Sequence, residues 1–162
     1  MKRALLLIGI VSFCSILPGC TSDQSEAVEQ VVQLMNTAAG NIGSITKAVQ
    51  TAIDKHEKDK KAIDFTEAIK AAGNLEATGK KANELKVRQI QNFKPPDDAT
   101  KQKIAEEYRT RITTAFTELV DAKKKLDEVL QKAEAINKAK VDDLRSKIRQ
   151  AEEPFDALNR QG

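Results

Sequence analysis

Cysteine, histidine and aromatic side chains are scarce in this chain of 162 residues, which holds two cysteines, one histidine, one tyrosine and no tryptophan. Both cysteines, Cys14 and Cys20, fall within the first twenty residues. Beyond them the chain lacks the ligands of ordinary zinc, haem and iron–sulfur sites, and the thiol of a Cys–His nucleophile. Glycine and proline are also few, at 7 and 4, so the dense turn punctuation of a sandwich or barrel is missing. No Gly-x-Ser-x-Gly and no Gly-Lys-Ser/Thr occurs, which removes the hydrolase elbow and the phosphate loop. Gly40-Asn41-Ile42-Gly43 is too short and too apolar to replace the latter. What remains is rich in Ala, Lys, Glu, Leu and Gln, a composition that favours long helices.

The N-terminus is organised differently from the rest. Met1-Lys2-Arg3 is basic, an apolar run extends from Ala4 to Leu17, and Pro18-Gly19-Cys20 follows. Basic start, apolar run and small residues at a cut site make up a secretory signal. The apolar run falls short of the roughly 20 residues that a stable membrane-spanning helix needs. Leu17-Pro18-Gly19-Cys20 resembles the lipobox of bacterial lipoproteins. That resemblance implies cleavage between Gly19 and Cys20, a diacylglyceryl group on the Cys20 thiol, and often an acylated N-terminal amine. More than one acyl chain matters, because a single chain gives only marginal and reversible membrane binding.

The expected domains are thus a removed signal peptide over 1–19, a lipidated cysteine and short tether over 20–25, and a helical domain over 26–162. Cys14 would leave with the leader and Cys20 would become a thioether, so no disulfide is expected in the mature chain. Without Lys2 and Arg3 the mature chain carries 25 basic against 24 acidic residues. So balanced a charge argues against a nucleic-acid partner. In diderm bacteria the resemblance also bears on sorting. Thr21 and Ser22 follow the cysteine, with no Asp directly after it, which implies the periplasmic face of the outer membrane. A monoderm source would place the anchor on the outer face of the cell membrane.

Three long apolar seams follow. Val28, Val31, Met35, Ala38, Ile42, Ile45, Val49 and Ala52 alternate steps of three and four, a heptad-like, coiled-coil spacing. Asp64-Phe65-Thr66-Glu67 reads as a capped start for a second helix, with Phe65, Ala68, Ile69, Ala72, Leu75, Ala82, Leu85, Ile90 and Phe93 on its apolar side. Pro95-Pro96 should end it. A third seam runs Ala105, Tyr108, Ile112, Ala115, Leu119, Ala122, Leu126, Val129, Ala133, Ile136, widened by Phe116, Val120 and Leu130. Near 137–140 the phase slips to Val141, Leu144, Ile148, Ala151, Phe155 and Leu158. The slip is either a stutter in one helix or a break between two. Pro154 should kink or restart the last turns. The expected fold is all-α: an antiparallel bundle of three long helices, with a fourth helix or a helical extension at the C-terminus.

No group of side chains in this pattern points to catalysis, a metal or a cofactor. His56 sits among Lys55, Glu57 and Lys58 and reads as a solvated helix end. Glu106-Glu107, Asp142-Asp143 and Glu152-Glu153 are neighbours in sequence and so diverge around a helix instead of converging. The leading expectation is a non-enzymatic, membrane-anchored lipoprotein, held by lipid on Cys20. Its helices would scaffold or bind another envelope protein, or self-associate. The alternative is a carrier of a small apolar ligand, lined by Ala72 and Gly79 from the second helix and by Ile112, Phe116 and Leu119 opposite.

Overall fold

A computed structural model describes residues 22–90 and 98–159. It is all-helical, with no strand among the described residues: α1 spans Ser22–Asp59, α2 Thr66–Ile90 and α3 Asp98–Asn159. Each helix packs against both others around one apolar core. The leader, Phe93 and Pro95-Pro96 lie outside the described residues.

The α1 seam is buried as its spacing predicts. Val28, Met35, Ala38, Ile42, Ile45, Val49 and Ala52 are all interior, and Val31 is half-buried. The helix begins at Ser22, inside the stretch expected to be a tether; Ser22–Ser25 contains no glycine or proline to oppose a helical start. At its other end Lys60 takes the left-handed conformation (φ 53°), and its N–H donates to His56 O at 2.9 Å. That bond satisfies one of the carbonyls a helix end leaves open.

Asp64 caps α2. Its Oδ1 accepts from Thr66 N at 3.0 Å and from the Thr66 hydroxyl at 2.7 Å. These two bonds hold the Asp64 carboxyl below the usual carboxylate range, hydroxyl first. Phe65, Ala68, Ala72, Leu75 and Ala82 are buried, but Ile69 is 44% exposed. The apolar stripe of α2 is narrower than its sequence suggests, and Ile69 falls outside it, about 100° around from Ala68.

In α3 the chain leaves helical geometry at Asn137 (φ −154°, ψ 90°). Asn137 Oδ1 accepts from Lys140 N at 3.1 Å, so this residue caps the helical arm that follows. Lys140 Nζ in turn donates to Ile63 O at 2.8 Å, fixing that arm to the connection between α1 and α2. Across the kink, Lys123 lies 3.2 Å from Glu152 and 3.3 Å from Asp156. In a straight helix Lys123 and Glu152 would be about 43 Å apart. The kink is therefore sharp. The backbone stays helical through Pro154, so the helix does not restart there. Val120, expected to widen the seam, is 44% exposed, whereas Leu130 is fully buried.

Candidate functional site

Gly19 and Cys20, the residues of the expected cleavage and lipidation, lie outside the described residues. The described chain starts at Ser22, two residues beyond Cys20.

The five residues expected to line a ligand space are placed as follows. Ala72 and Leu119 are buried members of the common core. Phe116 is half-buried against that core, and Ile112 is half-buried on α3. Gly79 is also buried, but it faces the C-terminal arm of α3. A Cβ built on it would stand 2.7 Å from Ala151 O, 3.3 Å from Pro154 Cγ and 3.7 Å from Phe155 Cε2. The space beside Gly79 is thus occupied by α3 backbone and side chains. Glycine here permits a close helix–helix approach.

A groove of about 470 Å³ lies at the other end of α1 from Ser22. Ser44, Ala48, Thr51 and Ala52 contribute small side chains to it, and Lys47, Lys55, Lys61, Asp59, Asp64 and Glu67 contribute charges of both signs. His56 borders the groove, and its Nδ1–H donates to Lys61 O at 2.5 Å. Because a carbonyl only accepts, that nitrogen must carry the proton. The ring therefore ties the end of α1 to the segment that follows. No group of three His, Cys, Asp or Glu suited to hold a metal is found among the described residues.

Several polar side chains join one part of the bundle to another. Thr78 is the buried polar residue of α2; its hydroxyl donates to Asn74 O at 2.9 Å and accepts from Asn41 Nδ2 at 3.0 Å. Asn41 also reaches Asn74 O at 3.3 Å, so one α1 amide clamps a turn of α2. Glu29 of α1 pairs with Arg111 of α3. Beside the kink, Glu134 accepts from Arg145 at 2.5 Å and from Lys138 at 3.1 Å, which holds its carboxyl below the usual range. Lys138 continues to Asp142, and these hydrogen bonds push its ammonium up.

The Lys123 cluster is the more enclosed one. Burial pushes the Glu152 carboxyl up, and the attraction of Lys123 offsets this only in part. Burial also opposes the charge on Lys123, but Glu152 and Asp156 together outweigh it and leave that ammonium raised. Residues so far apart in sequence give no local signal of such a pairing. Asn41 and Thr78 escaped notice for the same reason, since nothing in either helix alone marks them as partners.

No known protein family, curated protein or solved structure matches this chain.

Proposed function

We propose that this protein is a non-enzymatic helical scaffold of the bacterial cell envelope, lipid-anchored at Cys20. The observation that carries the reading is the leader: Met1-Lys2-Arg3, the apolar run to Leu17, and Cys20 directly after Pro18-Gly19. The start of α1 at Ser22 supports it and sharpens it. With so short a lead the bundle begins at the lipid surface, and the stretch of α1 that lines the groove, Ser44 to Asp59, lies about 33–56 Å along the helix axis from Ser22. No described helix is long and apolar enough to cross a membrane.

The scaffold we propose is an antiparallel bundle in which α3 supplies two members, 98–136 and 138–159. Asn41 meets Asn74 and Thr78 across the connection at 60–65, as two antiparallel helices would. Lys123–Glu152 and Glu134–Arg145 approach one another in the order that a helical hairpin gives. These contacts support the up-down-up-down order we propose. Such a bundle offers long, charged outer faces to an envelope protein or to a second copy, and its lipid-proximal end is the one next to Cys20. In a diderm cell the anchor belongs on the periplasmic face of the outer membrane.

Mass spectrometry of the membrane-extracted protein tests the anchor. We expect an N-terminal Cys20 bearing acyl groups, and loss of membrane attachment without loss of helicity in Cys20→Ala. An intact Met1 or an unmodified Cys20 overturns it. Fractionation against inner- and outer-membrane markers tests the location.

A further inference from the structure

Within α3, Asn137 is the one residue with non-helical dihedral angles. Its buried neighbours on either side do not change face. Leu119, Leu126, Leu130 and Ala133 precede it, and Val141, Leu144, Ile148 and Ala151 follow. At about 100° per residue, the steps from Ala133 to Asn137 and from Asn137 to Val141 each turn only about 40°. A straightened α3 would therefore carry one unbroken apolar stripe, with Asn137 as the polar member at its centre. The phase slip inferred from Val129 and Ile136 disappears once Leu130 takes its place in the core.

We propose that α3 exchanges its C-terminal arm with a second copy of this chain. Asn137 takes helical dihedrals, α3 becomes one helix of 62 residues, and 138–159 docks where the partner's own arm would lie. The occupant is a second copy because every contact distant from the hinge is already complementary. Lys123 with Glu152 and Asp156, and Gly79 with Ala151, form between chains as they do within one. Exchange at a short hinge is a low-cost route to a symmetric dimer. Straightening forfeits the Asn137 cap but supplies helical partners to the amides that follow it. The proposal rests on the hairpin arrangement of α3 given above. Lys140 meets Ile63 at the hinge end, whereas Glu29 pairs with Arg111 towards the Ser22 end. The two lipid-bearing ends thus lie at opposite poles of the dimer, and the pair lies along the bilayer.

The test uses the full acylated chain in density-matched detergent, with sedimentation for mass and hydrogen exchange over 136–141. Asn137→Ala removes the cap and favours the straight helix in both chains, so dimerisation should strengthen about a hundredfold. Lys138→Pro is tolerated directly after a cap but not inside a straight helix, so it should abolish the dimer. Asn137→Gly nearly preserves the cap and is little worse than Asn inside a helix, so it should leave dimerisation close to that of the natural chain; its contrast with Asn137→Ala serves if the proline variant misfolds. Amides 138 and 139 should gain protection in the dimer alone, because Lys140 N–H is already bonded to Asn137 Oδ1 in the monomer. The proposal is overturned by monomers throughout with those amides unprotected, by equal dimerisation of all variants, or by a dimer whose amides stay unprotected. Protection of these amides already in the monomer would instead refute the hairpin arrangement itself.

Discussion

Gly79 of α2 stands so close to α3 that a methyl group in its place would lie 2.7 Å from the Ala151 carbonyl oxygen. That oxygen belongs to helical backbone and cannot swing aside as a side-chain tip would. Gly79→Ala should therefore destabilise the fold, by about 1–3 kcal/mol, despite alanine's better helix propensity. Gly40, Gly43 and Gly73 are the internal comparison, since a Cβ at any of them meets nothing within 4 Å. Each of those three alanine variants should gain roughly 0.5–1 kcal/mol. Urea unfolding of the four variants decides it. Equal effects at all four positions would mean that Gly79 is not the point of close approach.

The Asn41–Thr78 contact makes a second prediction. Thr78→Val keeps the shape of the side chain but leaves Asn41 Nδ2 with only the longer bond to Asn74 O. The expected cost is about 1–2 kcal/mol, and Asn41→Ala should cost a similar amount. Because the two groups share one interaction, the double variant should cost less than the two single variants combined. Strict additivity in a double-mutant cycle would show that the hydroxyl and amide contribute independently.

Much of this architecture is written in residue spacing. The α1 seam is legible because one broad face is buried over its whole length, so the three-and-four rhythm survives from Val28 to Ala52. The α2 cap is legible because Asp64 and Thr66 are neighbours. The kink in α3 is only half legible. The apparent phase slip near 137–140 comes from reading Val129 and Ile136 in place of Leu130, and the break itself shows only in the meeting of Lys123 with Glu152, a contact with no local signature. Gly79 is visible as part of a small-residue run, yet its neighbour is not. Sequence reasoning set it opposite Ile112, Phe116 and Leu119, whereas Ala151, Pro154 and Phe155 are the groups that close on it. A Cβ built on Gly73 would meet nothing within 4 Å, which is why a run of small residues alone does not identify a contact.

Leu130 and Val129 offer a direct comparison of spacing with burial. The alternating seam runs through Val129, but the structure buries Leu130 and leaves Val129 only packed against the edge of the core. Leu130→Ala should cost on the order of 2–5 kcal/mol, as should Leu126→Ala. Val129→Ala should cost clearly less, about 1 kcal/mol, because it opens little internal space. Thermal unfolding followed by far-ultraviolet circular dichroism measures all three. A larger loss for Val129 than for Leu130 would return α3 to the register read from spacing alone.

Glu152 gives the fold a pH dependence of unusual sign. Burial raises its carboxyl in the folded chain above its unfolded value, in spite of Lys123 beside it. A raised carboxyl binds its proton more tightly when folded, so its contribution to stability is fully present below the ordinary glutamate value. That contribution is lost as pH rises through the folded value. Asp64, Glu134 and Glu76, whose carboxylate Lys80 bonds at 2.8 Å, behave in the opposite way, because their carboxyls are lowered and their contributions fade as the solution turns acid. These three are common to the natural chain and Glu152→Gln, so they cancel in the comparison. Lys123 stays charged in the natural chain, where Glu152 and Asp156 raise its ammonium, and Asp156 remains beside it in the variant. The stability of the natural chain relative to Glu152→Gln should therefore increase between pH 7 and pH 4. Urea unfolding of both proteins at several pH values across that window measures the difference. A change in the other direction would show that the attraction of Lys123 outweighs burial at this site.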